Sequence, residues 1–178
     1  MKKLLNEKKG FTLIELLLVV IVLGILAALA IPQFTDASKD TKESSLKQDL
    51  SMMRDAIERY YHQHGNNYPG AVDETDGVGA PANATAAATA FTKQLTQYSN
   101  KDGKISATLD KVNYPYGPYL KTGLPVNPLP ASGNPVSTVT ADITATTTIT
   151  SDASPTTGWK FATLTGQLIT NNSSYETW

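Results

Sequence analysis

The feature that most constrains this chain is a nearly uninterrupted apolar run from Phe11 to Ile31. As a helix rising ~1.5 Å per residue, this run is long enough to cross a hydrocarbon core ~30 Å thick. The residues before it are mostly basic, with Lys2, Lys3, Lys8 and Lys9 set against one acid, Glu7. Because positive charge stays on the cytoplasmic side, this asymmetry predicts a single membrane pass with a cytoplasmic N-terminus.

One carboxylate, Glu15, lies inside the apolar run. A carboxylate within a membrane-spanning helix costs roughly 2.5–3.5 kcal/mol and usually marks a function with a partner nearby. A plain membrane anchor has no use for it. The alternative is that Glu15, one turn from the start of the run, reaches back to the cytoplasmic face.

Three interpretations of this segment are open from the residues alone. It is a secretory signal peptide cleaved after Ala30, an uncleaved signal anchor, or a segment cleaved after Gly10 whose apolar run stays in the mature protein. Glu15 counts against the first two, because neither needs a carboxylate there. The run is also longer than the apolar centre of most signal peptides.

The sequence Lys-Lys-Gly-Phe-Thr-Leu-Ile-Glu-Leu at residues 8–16, followed by the apolar run and Pro32, resembles the N-terminus of type IV pilins and type II secretion pseudopilins. The resemblance implies that a prepilin peptidase cleaves between Gly10 and Phe11. It also implies N-methylation of Phe11. It implies for Glu15 a role in filament assembly, in which the carboxylate pairs with the N-terminal amine of a neighbouring subunit.

The segment after Pro32 changes from apolar to amphipathic. Pro32 removes a helix hydrogen bond, so we expect a kink there. An apolar stripe follows at helical spacing: Leu46, Leu50, Met53, Ile57 and Tyr60, with His64 continuing the row. We predict a cleaved leader over 1–10, a transmembrane or filament-core helix over 11–32, its amphipathic half over 33–64, and a small head over 65–178.

The head is predicted to be rich in loops, which gives an α+β fold with a long N-terminal helix. A short helix is predicted at about 86–98, and the Pro, Gly and Tyr-dense residues 112–130 predict an ordered loop held by its aromatics. The Thr/Ser-rich residues 136–157 fit either a β-hairpin edge or a surface excursion. Residues 158–171 predict a β-hairpin with Trp159 and Phe161 on one strand and Gly166 in the turn.

The head carries a second, shorter resemblance. Gly117-Pro118-Tyr119-Leu120, Leu124-Pro125-x-Asn127-Pro128 and the Gly-Trp hairpin are similar to the major pseudopilins of type II secretion. These bind calcium in their C-terminal loops, so the resemblance implies a possible calcium cofactor here. The candidate ligands are Asp102, Asp110, Asn127, Asp142 and Asp152. Their spacing identifies none of them as a calcium ligand.

Composition narrows the classes of function. The net charge is −1 and basic residues do not cluster outside the leader, which argues against nucleic acid as the primary partner. The chain has no cysteine and therefore no disulfide framework, a departure from many type IV pilins. Phosphate-loop, nucleophile-elbow and zinc-protease motifs are missing. His62 and His64 do not share a helix face. The sequence therefore predicts a structural protein rather than an enzyme.

The sequence as a whole predicts a pilin-like subunit that polymerises into a filament. The type II secretion class is favoured, and a type IV pilus for adhesion, motility or DNA uptake is the alternative. An alternative of another class is a secreted binding domain released after Ala30. The resemblance implies inner-membrane storage before assembly and a periplasmic or surface filament afterwards. It also implies several partners: further copies of the chain, the prepilin peptidase, a platform protein with its ATPase, and minor pilins or pseudopilins.

Overall fold

A computed structural model describes residues 10–178, and it describes every side chain in that range except those of residues 29, 30, 32 and 36. Apart from Gly10, the predicted leader lies outside these residues. Contacts divide the chain into two compact units, residues 1–41 and 42–178. The element order is one long helix, a short helix and five short strands, which confirms the predicted α+β class.

Helix α1 runs over Leu13–Gln63. Its C-terminus is fixed by Gly65 and Asn66, which both adopt left-handed backbone, with φ of 64° and 65°. The amide of Asn66 donates to the carbonyl of Tyr61 at 3.1 Å, closing a Schellman motif. The predicted helix, 11–64, is therefore confirmed to within two residues at either end.

The second unit folds around the amphipathic part of α1. The apolar stripe predicted from the spacing is buried, with Leu46, Leu50, Met53, Ile57 and Tyr60 at its centre, and His64 is buried as well. Phe91, Leu120, Trp159 and Phe161 belong to the same core cluster. The stripe therefore serves as the packing face for the rest of the second unit.

Helix α2 spans Ala84–Thr96, about two residues earlier than predicted. The Asn83 side chain caps it by accepting from the Ala86 amide at 2.9 Å. Tyr98, predicted to lie on this helix, lies instead in strand β1. The backbone of Gln97 is already extended there, and β1 (Tyr98–Ser99) pairs antiparallel with β2 (Ile105–Ser106).

The C-terminal sheet has the strand order β3-β4-β5. Strands β4 (Trp159–Ala162) and β5 (Leu168–Thr170) form the predicted hairpin, with Gly166 in the turn. Strand β3 (Val139–Asp142) pairs with β4 in parallel, so the Thr/Ser-rich tract does not supply a hairpin edge. A parallel pair needs a crossover of about a dozen residues or more, and residues 143–158 provide it.

The loop over 112–130 contains no long strand and is tied to its neighbours by hydrogen bonds. The amides of Tyr119 and Leu120 both donate to the carbonyl of Leu95 at 2.9 Å. Trp159 Nε1 donates to the carbonyl of Pro125, also at 2.9 Å. This matches the predicted ordered loop, whose position is set by the helix and sheet on either side.

Candidate functional site at the start of the long helix

The predicted cleavage point precedes helix α1. Gly10 and Phe11 have no regular secondary structure, and both are exposed, the Phe11 residue by 84%. A Cβ built on Gly10 meets no atom within 4 Å. The bond between them is therefore unobstructed by the described part of the chain. Cleavage there and methylation of Phe11 remain predictions.

Thr12 and Glu15 form a reciprocal capping box at the helix N-terminus. Glu15 Oε2 accepts from the Thr12 amide at 2.7 Å and from the Thr12 hydroxyl at 2.8 Å. The Thr12 hydroxyl oxygen accepts in turn from the Glu15 amide at 3.3 Å. A Ser or Thr three residues before Glu is the sequence signature of this motif. Thr12 and Glu15 carry this signature in the sequence, but the apolar run around Glu15 draws attention to its charge and not to its spacing from Thr12.

The capping box changes the physical account of Glu15. Within its own chain the carboxylate already accepts two hydrogen bonds and lies where the helix dipole favours negative charge. A carboxylate so placed is less costly in an apolar helix than one without partners. Its predicted pairing with a neighbour's amine requires a second chain, and that role remains a prediction.

The apolar part of α1 has no packing partner in the first unit. Its described large apolar side chains, from Phe11 to Leu26, are all exposed. Within the described residues, α1 is the one helix long and apolar enough to cross a membrane. Such a surface requires lipid or other protein around it.

Helix α1 continues through Pro32 without a break in its assignment. Proline has no amide hydrogen, so the carbonyl of Ala28 loses its usual donor. Beyond it, the hydroxyls of Thr35 and Thr41 donate to the carbonyls of Ile31 and Ala37, at 3.1 and 2.8 Å. Hydroxyl bonds of this kind often accompany helix bending. A kink at Pro32 stays a prediction.

The five calcium candidates make hydrogen bonds or ion pairs with different groups of the protein. Asp110 accepts from Asn113 Nδ2 at 2.7 Å, and hydrogen bonds from Asn113 and Val112 lower the pKa of Asp110. Asp142 accepts from the Thr144 and Ala145 amides at 3.0 and 2.9 Å.

The other three candidates also bond to protein groups. Asn127 is buried and donates to Gly158 and Thr170. Asp152 receives the Lys160 ammonium at 2.7 Å. The Asp102 carboxylate lies at the outer limit of a bond from Asn100, 3.5 Å away.

Within residues 10–178, no group of three acidic, His or Cys side chains is placed to hold a metal ion. Calcium binding stays a prediction. Thermal unfolding that is unchanged between calcium and a chelator would count strongly against it.

Comparisons with known proteins point to the N-terminal segment. Residues 5–31 match the family model described as the prokaryotic N-terminal methylation motif. A fimbrial protein of Pseudomonas aeruginosa is 44% identical over 54 residues, which is 30% of this chain and 35% of that protein. The type II secretion system core protein G of the same species is 41% identical over 55 residues, covering 31% and 39%.

Some matches extend into the head. A fimbrial protein of Neisseria meningitidis is 31% identical over 111 residues, which is 60% of this chain and 58% of that protein. The chain spans about a third of the length of the first relatives it matches. No solved structure matches the chain with significance. The chain therefore carries the prokaryotic N-terminal methylation motif, and over that segment it is similar to type IV fimbrial proteins and to a type II secretion core protein, as the resemblance predicted.

Proposed function

We propose that this chain is a structural subunit that polymerises into a pilus-like filament after its leader is removed. The observation that carries the proposal is the exposed apolar helix, which begins at a capped carboxylate and has no packing partner among the residues that the structure describes. In a helical polymer, the same apolar surface is buried against sister helices.

Before assembly the apolar helix holds the subunit in the inner membrane, with the N-terminus cytoplasmic. Moving that helix from lipid into a filament core gains little hydrophobic free energy, because lipid tails are as apolar as its side chains. A polar interaction that forms only between subunits is then worth more than extra apolar area. Pairing of Glu15 with the methylated amine of a neighbouring Phe11 is such an interaction, since both charges lie in a low dielectric.

The subunit depends on several partners. The prepilin peptidase removes residues 1–10 and methylates Phe11. A platform protein and an ATPase drive extraction from the membrane, and minor pilins or pseudopilins start the filament. The finished filament lies in the periplasm or on the cell surface, and nucleic acid is not its primary partner.

The filament class has two candidates. We favour a pseudopilus of type II secretion, supported by the Gly-Trp hairpin and by the similarity to core protein G of Pseudomonas aeruginosa. A type IV pilus is supported by the match with the fimbrial protein of Neisseria meningitidis, which extends further along the chain. Deleting the gene in the native host separates the two classes. A type II secretion pseudopilin predicts loss of exported enzymes from the medium, and a type IV pilin predicts loss of surface pili.

The assembly role is tested by two substitutions of Glu15. Glu15→Ala removes both the charge and the Thr12 bonds, whereas Glu15→Gln keeps a hydrogen-bonding carbonyl and removes only the charge. We expect both variants to insert into the membrane and both to give few sheared filaments, because the amine needs a charged partner. Abundant filaments from Glu15→Gln alone would assign Glu15 to capping, and abundant filaments from both would contradict the proposed mechanism.

A further inference from the structure

A rigid apolar knuckle follows strand β2 in the second unit, formed by Leu109, Lys111 and Val112. Its backbone is fixed by Asp110, whose Oδ1 accepts from the Val112 and Asn113 amides at 3.0 and 3.1 Å. Leu109 is 60% exposed and Val112 is 89% exposed, the highest value among the large apolar side chains described. A fixed loop that presents aliphatic side chains loses little entropy on binding.

A shallow, open groove runs along an exposed face of α1 in the same unit, and all the residues that line it belong to this helix. It is lined by Gln48, Ser51, Met52, Asp55, Glu58 and Arg59. The side chain of Met52, which is 43% exposed, is the apolar part of the groove. The Arg59 guanidinium is turned toward Tyr119, with a bond to that residue's carbonyl at 3.5 Å.

The two surfaces are complementary in charge as well as in polarity. The knuckle carries the Lys111 ammonium, because the Asp110 carboxylate is turned into its own loop. The groove carries Asp55 and Glu58, and Asp55 makes no ion pair within the described part of the chain. The groove acids lie beside the apolar Met52 side chain, and the Lys111 ammonium lies between the aliphatic side chains of the knuckle. The two surfaces can therefore form ion pairs and apolar contacts at the same time.

We propose that the Leu109–Val112 knuckle of one subunit docks into the Met52–Asp55–Glu58 groove of another copy. An open helical polymer requires two different surfaces on each subunit, and one chain here supplies a matched pair of them. This inference rests on the proposed function, since it assigns head-to-head contacts within the proposed filament. Lys111 then pairs with the groove acids, and Val112 and Leu109 cover Met52.

Cross-linking tests the contact in assembled filaments of the full chain. The chain has no cysteine, so any disulfide between introduced thiols reports their own proximity. Filaments of a Met52→Cys, Val112→Cys double variant, oxidised before denaturation, should give a ladder of covalent oligomers. The control pairs Met52→Cys with Val78→Cys, because Val78 is also a highly exposed valine, at 72%. Filaments that give no ladder, or an equal ladder from the control, would overturn the proposal.

Charge reversal supplies a second readout that needs no disulfide. Lys111→Glu and Asp55→Lys should each lower sheared filament roughly fivefold or more, because each places like charges opposite one another. The combined variant should recover most of the loss. Lys121→Glu makes the same charge change at another exposed lysine and should have little effect.

The outcomes separate this inference from the proposed function. Filaments formed by the unsubstituted chain, with no loss in either reversal variant, would contradict the interface and leave the filament proposal standing. Failure of the combined variant to recover would also contradict it. A host that makes no filaments from the unsubstituted chain would contradict the proposed function and the interface with it.

Discussion

Two residues in the second unit, Gly166 and Tyr60, lie at tightly packed positions. Gly166 has a φ of 74° in the β4–β5 turn, and the Tyr68 ring lies directly against its Cα. Tyr60 stacks on His64 with ring centroids 3.7 Å apart, while its buried hydroxyl finds no partner within the described residues. These two positions predict opposite responses to conservative substitution.

Gly166→Ala should destabilise the fold by more than the about 1–2 kcal/mol that left-handed backbone costs. The added methyl overlaps the Tyr68 ring, which must shift away from the turn. Gly79→Ala is the matched control, because Gly79 has the same φ of 74° and open space around it. Urea unfolding of both variants measures the difference. Equal losses of unfolding free energy in the two variants would show that overlap with the Tyr68 ring does not add to the cost of Gly166→Ala.

Tyr60→Phe should leave the free energy of unfolding unchanged or raise it by up to roughly 1 kcal/mol. The substitution removes a buried hydroxyl that has no hydrogen bond, and it keeps the ring stacked on His64. Tyr119→Phe is the contrast, because its hydroxyl donates to Gln63 and that bond would be lost. A loss well beyond 1 kcal/mol for Tyr60→Phe would mean that its hydroxyl is satisfied after all.

Elements differed in how far local sequence could predict them. Helix α1 and the β4–β5 hairpin carry their own periodicity, stop residues and turn glycine, so both were predicted to within a few residues. The start of α2 depended on the Asn83 cap, and its end depended on β1 pairing with β2. The parallel pairing of β3 depends on residues far along the chain, which no local pattern in a Thr-rich tract reports.

At the N-terminus, the sequence predicted that Glu15 pairs with the amine of a neighbouring subunit, but Glu15 also has a partner in its own chain, Thr12. The Thr12–Glu15 spacing carries the capping signature, but the expectation of an intersubunit charge pair left it unused. The five calcium candidates show the reverse problem. Oxygen-bearing side chains are common in loops, and only the fold reveals that Asp110, Asn127, Asp142 and Asp152 already bond to protein groups.

His64, just after the end of α1, should make the stability of the fold depend on pH. Its Nδ1 lies 2.8 Å from the Tyr60 carbonyl, which only accepts, so Nδ1 donates. Nε2, 2.9 Å from Ser99 Oγ, then accepts from that hydroxyl in the neutral ring. Tyr116 and Tyr119 also face the ring, and Asp102 acts on it at longer range. Burial lowers the pKa of His64 below its usual value despite the Tyr60 bond and Asp102.

A lowered pKa means that the unfolded chain binds a proton more readily than the folded one. Stability from neutral His64 is therefore present above about pH 6.5 and is lost as the pH falls toward the lower folded pKa. Unfolding midpoints in detergent at pH 7.5 and 5.5 should fall more for the unsubstituted chain than for His64→Gln. Equal falls in the two proteins would assign the acid sensitivity to other groups.

At the scale of the whole molecule, one chain contains both an apolar helix of membrane-spanning length and a small folded head. The head buries its core against the amphipathic part of α1, while the Leu109–Val112 knuckle and the groove on α1 stay exposed. The apolar part of α1 requires lipid or sister helices around it. Polymerisation covers both the apolar run and these surfaces with one kind of chain, whereas a domain released after Ala30 would lack the apolar run and would leave the knuckle and the groove uncovered.

The most direct test is intact-mass and N-terminal analysis of the protein from its native host. The account predicts a chain that begins at Phe11 and carries one methyl group, because prepilin processing precedes assembly. A chain that begins at Ile31 would contradict it. That result would make the protein a secreted domain cleaved after Ala30, and the assembly role of Glu15 would fall with it.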